Sequence, residues 1–230
     1  MIDFSLHLPV VLDHVQLLAQ LQGTPWTTAD RKSLADWCNS MLEWIGRHPY
    51  GRQEENAANN HATYYDRITA GLALFTNHAE AAISQLDKTR KRIGMQIEPD
   101  GSMPHELRRT CSFSYMLMNV RGFVDLAWIG RRLGVDLWEP DGSDGRSIQA
   151  AVDFMYRHAC AKEPWPFQQI EPIDWRMIWP VLEKAAVISG RRYTFSDIAH
   201  RMPESFVPVS FPMIEPIHPF GNERSPAASK

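Results

Sequence analysis

The chain has little of what marks out several large classes of protein. Only three of its 230 residues are cysteine: Cys38, Cys111 and Cys160. They lie far apart, their number is odd, and no CxxC or Cys/His spacing surrounds them. Neither a disulfide framework nor a structural zinc site is predicted, and each reads as a small buried hydrophobe. No block of one charge sign dominates: 24 Lys and Arg stand against 27 Asp and Glu, for a net charge of -3. A nucleic-acid partner, which calls for a basic face, is not expected. A basic cleft for an acidic polymer stays open, because net charge does not report local fields. No apolar run is long enough to span a bilayer, so no membrane partner is expected. The start lacks a basic region followed by a clean apolar stretch, since Asp3, His7, Asp13 and His14 interrupt it, and no export signal is read there. Period-two alternation is weak throughout, which argues against strands.

What is present is helical periodicity, in a chain that is 44% apolar and long enough for one large core. Leu6, Val10, Leu12, Val15, Leu18 and Leu21 form an apolar stripe that Gly23 and Pro25 close. Thr27 and Asp30 read as a helix start with a capping box. Leu34, Trp37, Cys38, Met41, Leu42 and Ile45 follow at helical spacing. Residues 49–60 read as a polar, Asn-rich loop. Helices are predicted over 61–75, with Asn77 suited to the C-terminal cap, then over 79–94 and 110–133, and later over 144–160, 174–189 and 194–201. Pro99-Asp100-Gly101-Ser102 is a turn. Helix and short connection, repeated, predicts an all-α fold of helical hairpins, a bundle or an α/α toroid. The domain covers 1–202. An extended Pro-rich tail, with Pro203, Pro208, Pro212, Pro216 and Pro219, covers 203–230, and its last residues, Asn222 to Lys230, read as disordered.

Two segments bear chemistry. The first is Asn59-Asn60-His61-Ala62-Thr63-Tyr64-Tyr65-Asp66, an amide pair, a histidine and two tyrosines where a loop enters a helix. Tyr64 and Tyr65 lie one turn after His61. The second is Met103-Pro104-His105-Glu106-Leu107-Arg108-Arg109, followed by Thr110-Cys111-Ser112-Phe113-Ser114-Tyr115. Each alone has an ordinary structural reading: a capping Asn before a satisfied His, and arginines paired with surface carboxylates. Together they supply what β-elimination on a uronic acid needs. The C5 proton lies next to a carboxylate, and neutralising that carboxylate eases its removal. Asn60 and an arginine can do so, and His61 and Tyr115 can serve as base and acid.

NNHATYYD, then EPDGSMPHELRR, then SFSYMLMNVRGF also resemble the alginate lyase superfamily of helical-toroid polysaccharide lyases. Those enzymes share an NNH motif, an E-L-x-R element and a tyrosine shortly after it. The similarity covers roughly 25–190 and includes Trp165-Pro166-Phe167-Gln168-Gln169-Ile170-Glu171-Pro172, which looks like a C-terminal element of some members. The resemblance implies an α/α toroid and cleavage of uronic-acid polymers, alginate, polymannuronate or glucuronan, without a cofactor. It also implies a periplasmic or secreted location. It carries Asn60 to the carboxylate-neutralising asparagine, His61 to the catalytic histidine, Arg109 to the E-L-x-R arginine and Tyr115 to the tyrosine that protonates the leaving O4. Asn59, Tyr64, Tyr65, Arg108 and Trp165 are candidate substrate contacts. In some members the arginine precedes the tyrosine by seven residues; here Arg109 does so by six and Arg108 by seven, so both stay candidates, with Arg109 preferred. Members generally carry more helices ahead of NNH than the 60 residues found here, so the chain reads as a C-terminal part of such a toroid or a short form. A non-catalytic module that binds acidic glycans is the alternative.

Other constellations carry less. His61, Asp66, His105 and Glu106 lack the spacing of a metal site. Asp141-Gly142-Ser143-Asp144-Gly145 lacks the spacing and terminal Glu of a calcium loop and reads as a turn. Of the eight tryptophans, Trp26, Trp128, Trp138, Trp165, Trp175 and Trp179 could stack on sugars, Trp165 first because prolines flank it, although most should be core.

Overall fold

A computed structural model describes residues 2–21, 23–138 and 144–208. The tail beyond Pro208 and most of the 141–145 turn lie outside the described residues. Ten α-helices are described: α1 Ile2–Leu18, α2 Thr28–Arg47, α3 Pro49–Glu55, α4 Asn60–Phe75, α5 Ala79–Gln96, α6 Pro104–Leu107, α7 Ser112–Leu133, α8 Ile148–Cys160, α9 Trp179–Ser189 and α10 Phe195–Ile198. Single 3-10 turns cover Trp175–Ile178 and Ala199–Arg201. Among the described residues there is no strand, only an isolated bridge between Cys111 and Gln169.

Local chemistry sets the boundaries. Thr27 and Asp30 form the capping box in full: Asp30 N donates to Thr27 Oγ1 at 3.1 Å, and Thr27 N donates to Asp30 Oδ2 at 2.9 Å. α4 ends in a Schellman turn. His78 N donates to Ala73 O at 2.8 Å and Asn77 N to Leu74 O at 3.2 Å. Asn77 takes the left-handed φ of 62° that this motif needs, the conformation asparagine tolerates best after glycine.

Two short helices occupy stretches that read as loop. In α3, Pro49 brings a φ already suited to the first helical position, and His48 Nδ1 accepts from Tyr50 N at 3.2 Å. Pro104 opens the single turn of α6 in the same way. Elsewhere edges shift: the helix expected from residue 144 starts at Ile148, where Ser147 Oγ accepts from Ala150 N at 3.0 Å, and the one expected from 174 opens with a 3-10 turn.

α4 is the centre of the architecture. It packs against α1, α2 and α3 on one side and α5 and α7 on the other. Its first face joins Tyr65, Ile68, Leu72 and Phe75 to Leu12, Cys38 and Ile45. Its second joins Ala70 and Leu74 to a larger core from α5, α7, α8 and α9. A helix enclosed in this way is buried all round, and so the polar residues along it need partners inside the protein. Each fully buried Leu, Ile or Phe contributes about 1.5–3 kcal/mol. The hairpins packed side by side make an incomplete α/α toroid.

Two expectations about the core change. Cys38 is buried, whereas Cys111 and Cys160 are only partly covered, because they sit at helix ends rather than on a packed face. Of the first stripe, Leu12 is buried, but Val10 and Leu18 on α1 and Leu21 beyond its end are exposed, because one side of α1 meets α4.

Close approach of α4 and α7 depends on Gly122. A Cβ there would lie 2.9 Å from Thr63 Cγ2 and 3.3 Å from the Tyr64 ring. Gly122→Ala should cost about 1–3 kcal/mol by overpacking. Gly46→Ala, on an exposed part of α2 with nothing within 4 Å, should instead stabilise by about 0.5–1 kcal/mol. Urea unfolding of both variants checks the contrast.

Candidate active site

The start of α4 is held by a closed ring of polar side chains. Asn59 is the N-cap, its Oδ1 accepting from His61 N at 3.3 Å. Asn60 follows, fully buried. Its backbone N donates to Glu106 Oε1 at 2.7 Å, and its side-chain Nδ2 donates to Glu106 Oε2 at 2.7 Å. Asn119 of α7 donates from Nδ2 to Glu106 Oε1 at 3.2 Å and to Gln96 Oε1 at 2.8 Å. Gln96, at the end of α5, closes the ring by donating to Asn59 O at 3.2 Å. Four helices, α4, α5, α6 and α7, thus meet at one polar knot. Glu106 also completes an N–H at a helix N-terminus, where negative charge is favoured. Burial still pushes its pKa up, against the opposing effect of the Asn60 hydrogen bonds and of nearby Arg109 and His105.

The reactive candidates stand around this knot. His61 is next to Asn60, and its side chain is 41% exposed. Its Nδ1 lies 2.7 Å from Glu54 Oε2 of α3. Tyr115 is one turn before Asn119 on the same face of α7 and is half-buried. The Arg109 guanidinium carbon sits 3.7 Å from the centroid of the Tyr115 ring, a cation–π contact of about 0.5–2 kcal/mol. Arg108 turns away, donating from Nε to Pro104 O at 3.1 Å and lying 3.1 Å by Nη2 from His105 Nδ1. The chain leaves helix geometry between α6 and α7, so the seven-residue spacing of Arg108 and Tyr115 does not stack them.

The start of α7 lacks a side-chain cap of its own. The segment after α8 supplies one. Phe113 N donates to Gln169 Oε1 at 3.1 Å, Ser112 Oγ donates to Gln168 O at 2.7 Å, and Ile170 N donates to Thr110 O at 2.9 Å. Trp165 donates from Nε1 to Ser112 Oγ at 2.8 Å and packs among Phe113, Phe154 and Phe167. The Trp165 segment therefore fixes the turn from which Arg109 and Tyr115 project.

This placement alters the expected list of substrate contacts. Trp165 is core. So are Tyr64, which donates to Met118 O at 3.0 Å, and Tyr65, because α4 is enclosed on every side beyond its first turn. Trp128, Trp138 and Trp175 are buried as well. Exposed rings lie on α2 and α3 instead: Trp44 stacks on His48 at 4.7 Å, and His48 meets Tyr50 at 5.0 Å. Asp66 is spent on structure, accepting from Thr89 Oγ1 at 3.0 Å and Arg92 Nε at 2.7 Å. No group of three or more His, Cys, Asp or Glu among the described residues is arranged to hold a metal ion.

Glu54, Gln96 and Asn119 escaped the sequence reading, and the structural role of Glu106 was not foreseen. Glu106 stood inside the HELRR motif, and Asn119 lay at i+4 from Tyr115, a usable signal; Glu54 was hidden in the stretch read as loop. A second buried charge cluster was also missed. Arg67 Nε donates to Asp125 Oδ2 at 2.8 Å, Lys184 of α9 pairs with the other oxygen, and Arg121 adds its field. Burial pushes the Asp125 pKa up, but Lys184 and Arg67 outweigh it and hold the carboxyl well below the usual range.

Helical hairpins packed in this way are the fold of the helical-toroid polysaccharide lyases. The family model for alginate lyase matches residues 1–165, and the chain belongs to that family. It is also similar to the crystal structure of an alginate lyase from Bacteroides ovatus, with 26% identity and a TM-score of 0.72, covering 84% of this chain and 51% of that one. The chain therefore spans about half the length of that protein. No curated protein sequence matches it.

Glu106 gives a pH test. Its folded pKa lies above its ordinary value of 4.5, so the native state holds the proton more tightly than the unfolded chain. Stability should fall as pH rises from 4.5 through the folded value and then level off. Glu106→Gln, which cannot accept at both positions, should destabilise by about 1–3 kcal/mol. Its deficit relative to wild type should be largest near pH 4.5 and shrink as pH rises, measured by urea unfolding across that range.

Proposed function

We propose that this chain carries the chemistry of a polysaccharide lyase that cleaves uronic-acid polymers, alginate, polymannuronate or glucuronan, by β-elimination. The observation that carries the reading is Arg109 lying 3.7 Å over the Tyr115 ring, beside the knot that also holds Asn60 and His61. It sets a fixed cation next to a phenol hydroxyl, the pair needed by a substrate whose carboxylate and leaving oxygen are on adjacent carbons.

In this mechanism Arg109 binds the uronate carboxylate and stabilises the negative charge that develops on it as C5 loses its proton. The C5–H bond breaks, its electrons form the C4=C5 double bond, and the C4–O4 bond breaks. Tyr115 gives its proton to O4. Where the C5 proton and O4 share a face, as in mannuronate and glucuronate, Tyr115 as phenolate can first take the C5 proton and then return it. Where they lie on opposite faces, as in guluronate, His61 takes it. Asn60, buried with its amide on Glu106, acts by positioning: it sets the first turn of α4 and so the place of His61.

A second reading is an acidic-glycan-binding module without turnover. Product formation separates the two. On polymannuronate, polyguluronate or glucuronan, the protein should raise near-ultraviolet absorbance as the conjugated double bond forms. Tyr115→Phe should lower kcat by about 10²–10⁴-fold with an unchanged circular dichroism spectrum. Binding with no absorbance gain on any of the three polymers would establish the second reading.

A further inference from the structure

We infer that Glu54 is a positioning residue that fixes His61 as a proton acceptor with its far ring nitrogen open, and so equips the site for uronates whose C5 proton and O4 lie on opposite faces. This rests on the lyase reading above.

The two side chains come from different helices. Glu54 Oε2 lies 2.7 Å from His61 Nδ1, with Glu54 20% and His61 41% exposed. The pair is thus covered on the Glu54 side and open on the His61 side.

α3 is not free to move away from this contact. Gly51 runs so close to the end of α2 that a Cβ on it would lie 1.8 Å from Ile45 O. At the other end of α3, Arg92 Nη2 donates to Glu55 O at 2.6 Å, and Lys88 Nζ pairs with Glu55 Oε1 at 2.7 Å. Both cations come from α5. With Glu55 held on α5, the adjacent Glu54 is presented to the first turn of α4.

The chemistry follows from what a carboxylate can do. It only accepts hydrogen bonds, so Nδ1 of His61 must carry a hydrogen. In the neutral ring the lone pair is then on Nε2, the nitrogen away from Glu54. A ring in that tautomer takes a proton at Nε2 and cannot donate from it to a substrate carboxylate. Of the two roles open to His61, base or neutraliser, the contact selects base, and neutralisation is left to Arg109. After proton transfer Nδ1–H stays on Glu54 and the new N–H is at Nε2.

Long-range nitrogen–proton correlation spectra of the full chain labelled with ¹⁵N-histidine test this, with the His61 signals assigned by their loss in His61→Gln. The expected wild-type result is a protonated Nδ1 and an unprotonated Nε2. Glu54→Ala should move the ring toward the Nε2–H form. Glu54→Gln, whose amide oxygen still accepts, should keep Nδ1–H while removing the charge. In rate assays, Glu54→Ala should lower kcat on polyguluronate about tenfold or more, out of the 10²–10⁴ a general base supplies. On polymannuronate it should change kcat less than twofold. An Nε2–H ring in the wild type, a Glu54→Ala spectrum identical to wild type, or equal loss on both polymers would overturn the proposal. A wild type inactive on every uronate polymer would sink the lyase reading, while the spectra would still decide the Glu54–His61 pairing.

Discussion

The pair of hydrogen bonds from Asn60 to Glu106 is the interaction on which the rest of the site depends. One residue offers its backbone N–H and its amide to both oxygens of a single carboxylate, in a place closed to water. A buried carboxylate with too few donors costs several kcal/mol, so the arrangement tolerates little displacement of either partner. Since Glu106 belongs to the one-turn α6 and Asn60 to the first turn of α4, the bond sets the distance between two segments 46 positions apart. Asn119 and Gln96 extend it to α7 and α5. His61, Arg109 and Tyr115 all hang from this frame, each within a few residues of one of its members.

The frame is polar because α4 is enclosed. A central helix must bring its polar side chains into the core with it, and each must find a partner there. Along α4 these partners form three layers: Asn60 with Glu106, Asp66 with Thr89 and Arg92, and Arg67 with Asp125 and Lys184. The first borders the reactive groups. The second fastens α5, whose Arg92 and Lys88 also hold α3 in place. The third ties α4 to α7 and α7 to α9. The residues that make α4 compatible with burial therefore also hold in place the elements that carry His61, Arg109 and Tyr115.

Rigidity at the other reactive group comes from a different source. α7 starts without a cap of its own, and the segment around Gln168 and Gln169 supplies the missing acceptors from a distance of 56 residues. Trp165 anchors that segment in an aromatic cluster and ties its indole N–H to Ser112. The chain turns sharply between α6 and α7, and Arg109 folds back over Tyr115 instead of continuing along the helix. Arg108, one residue earlier, is left to pair with His105.

Much of this was legible in the residues. Helical spacing gave the hairpins, Thr27 and Asp30 announced a helix start, Asn77 announced a helix end, and the order NNH, HELRR, Tyr pointed to the chemistry and to the family. These are local signals, written in short-range spacing and in capping preferences that act within a turn or two. What the residues could not show is which side of a helix is enclosed. Tyr64, Tyr65 and Trp165 look the same in sequence whether they face a cleft or a core; α4 being surrounded, and the Trp165 segment folding onto α7, put them inside. Nor could spacing pair Glu54 with His61, Asn60 with Glu106 or Arg67 with Asp125, because those bonds cross between helices. The sequence by itself determined the helices and the kinds of groups available for the reaction. Only the tertiary structure decided which of those groups stay accessible and which are buried or paired, because burial and charge pairing depend on the neighbours that packing brings together.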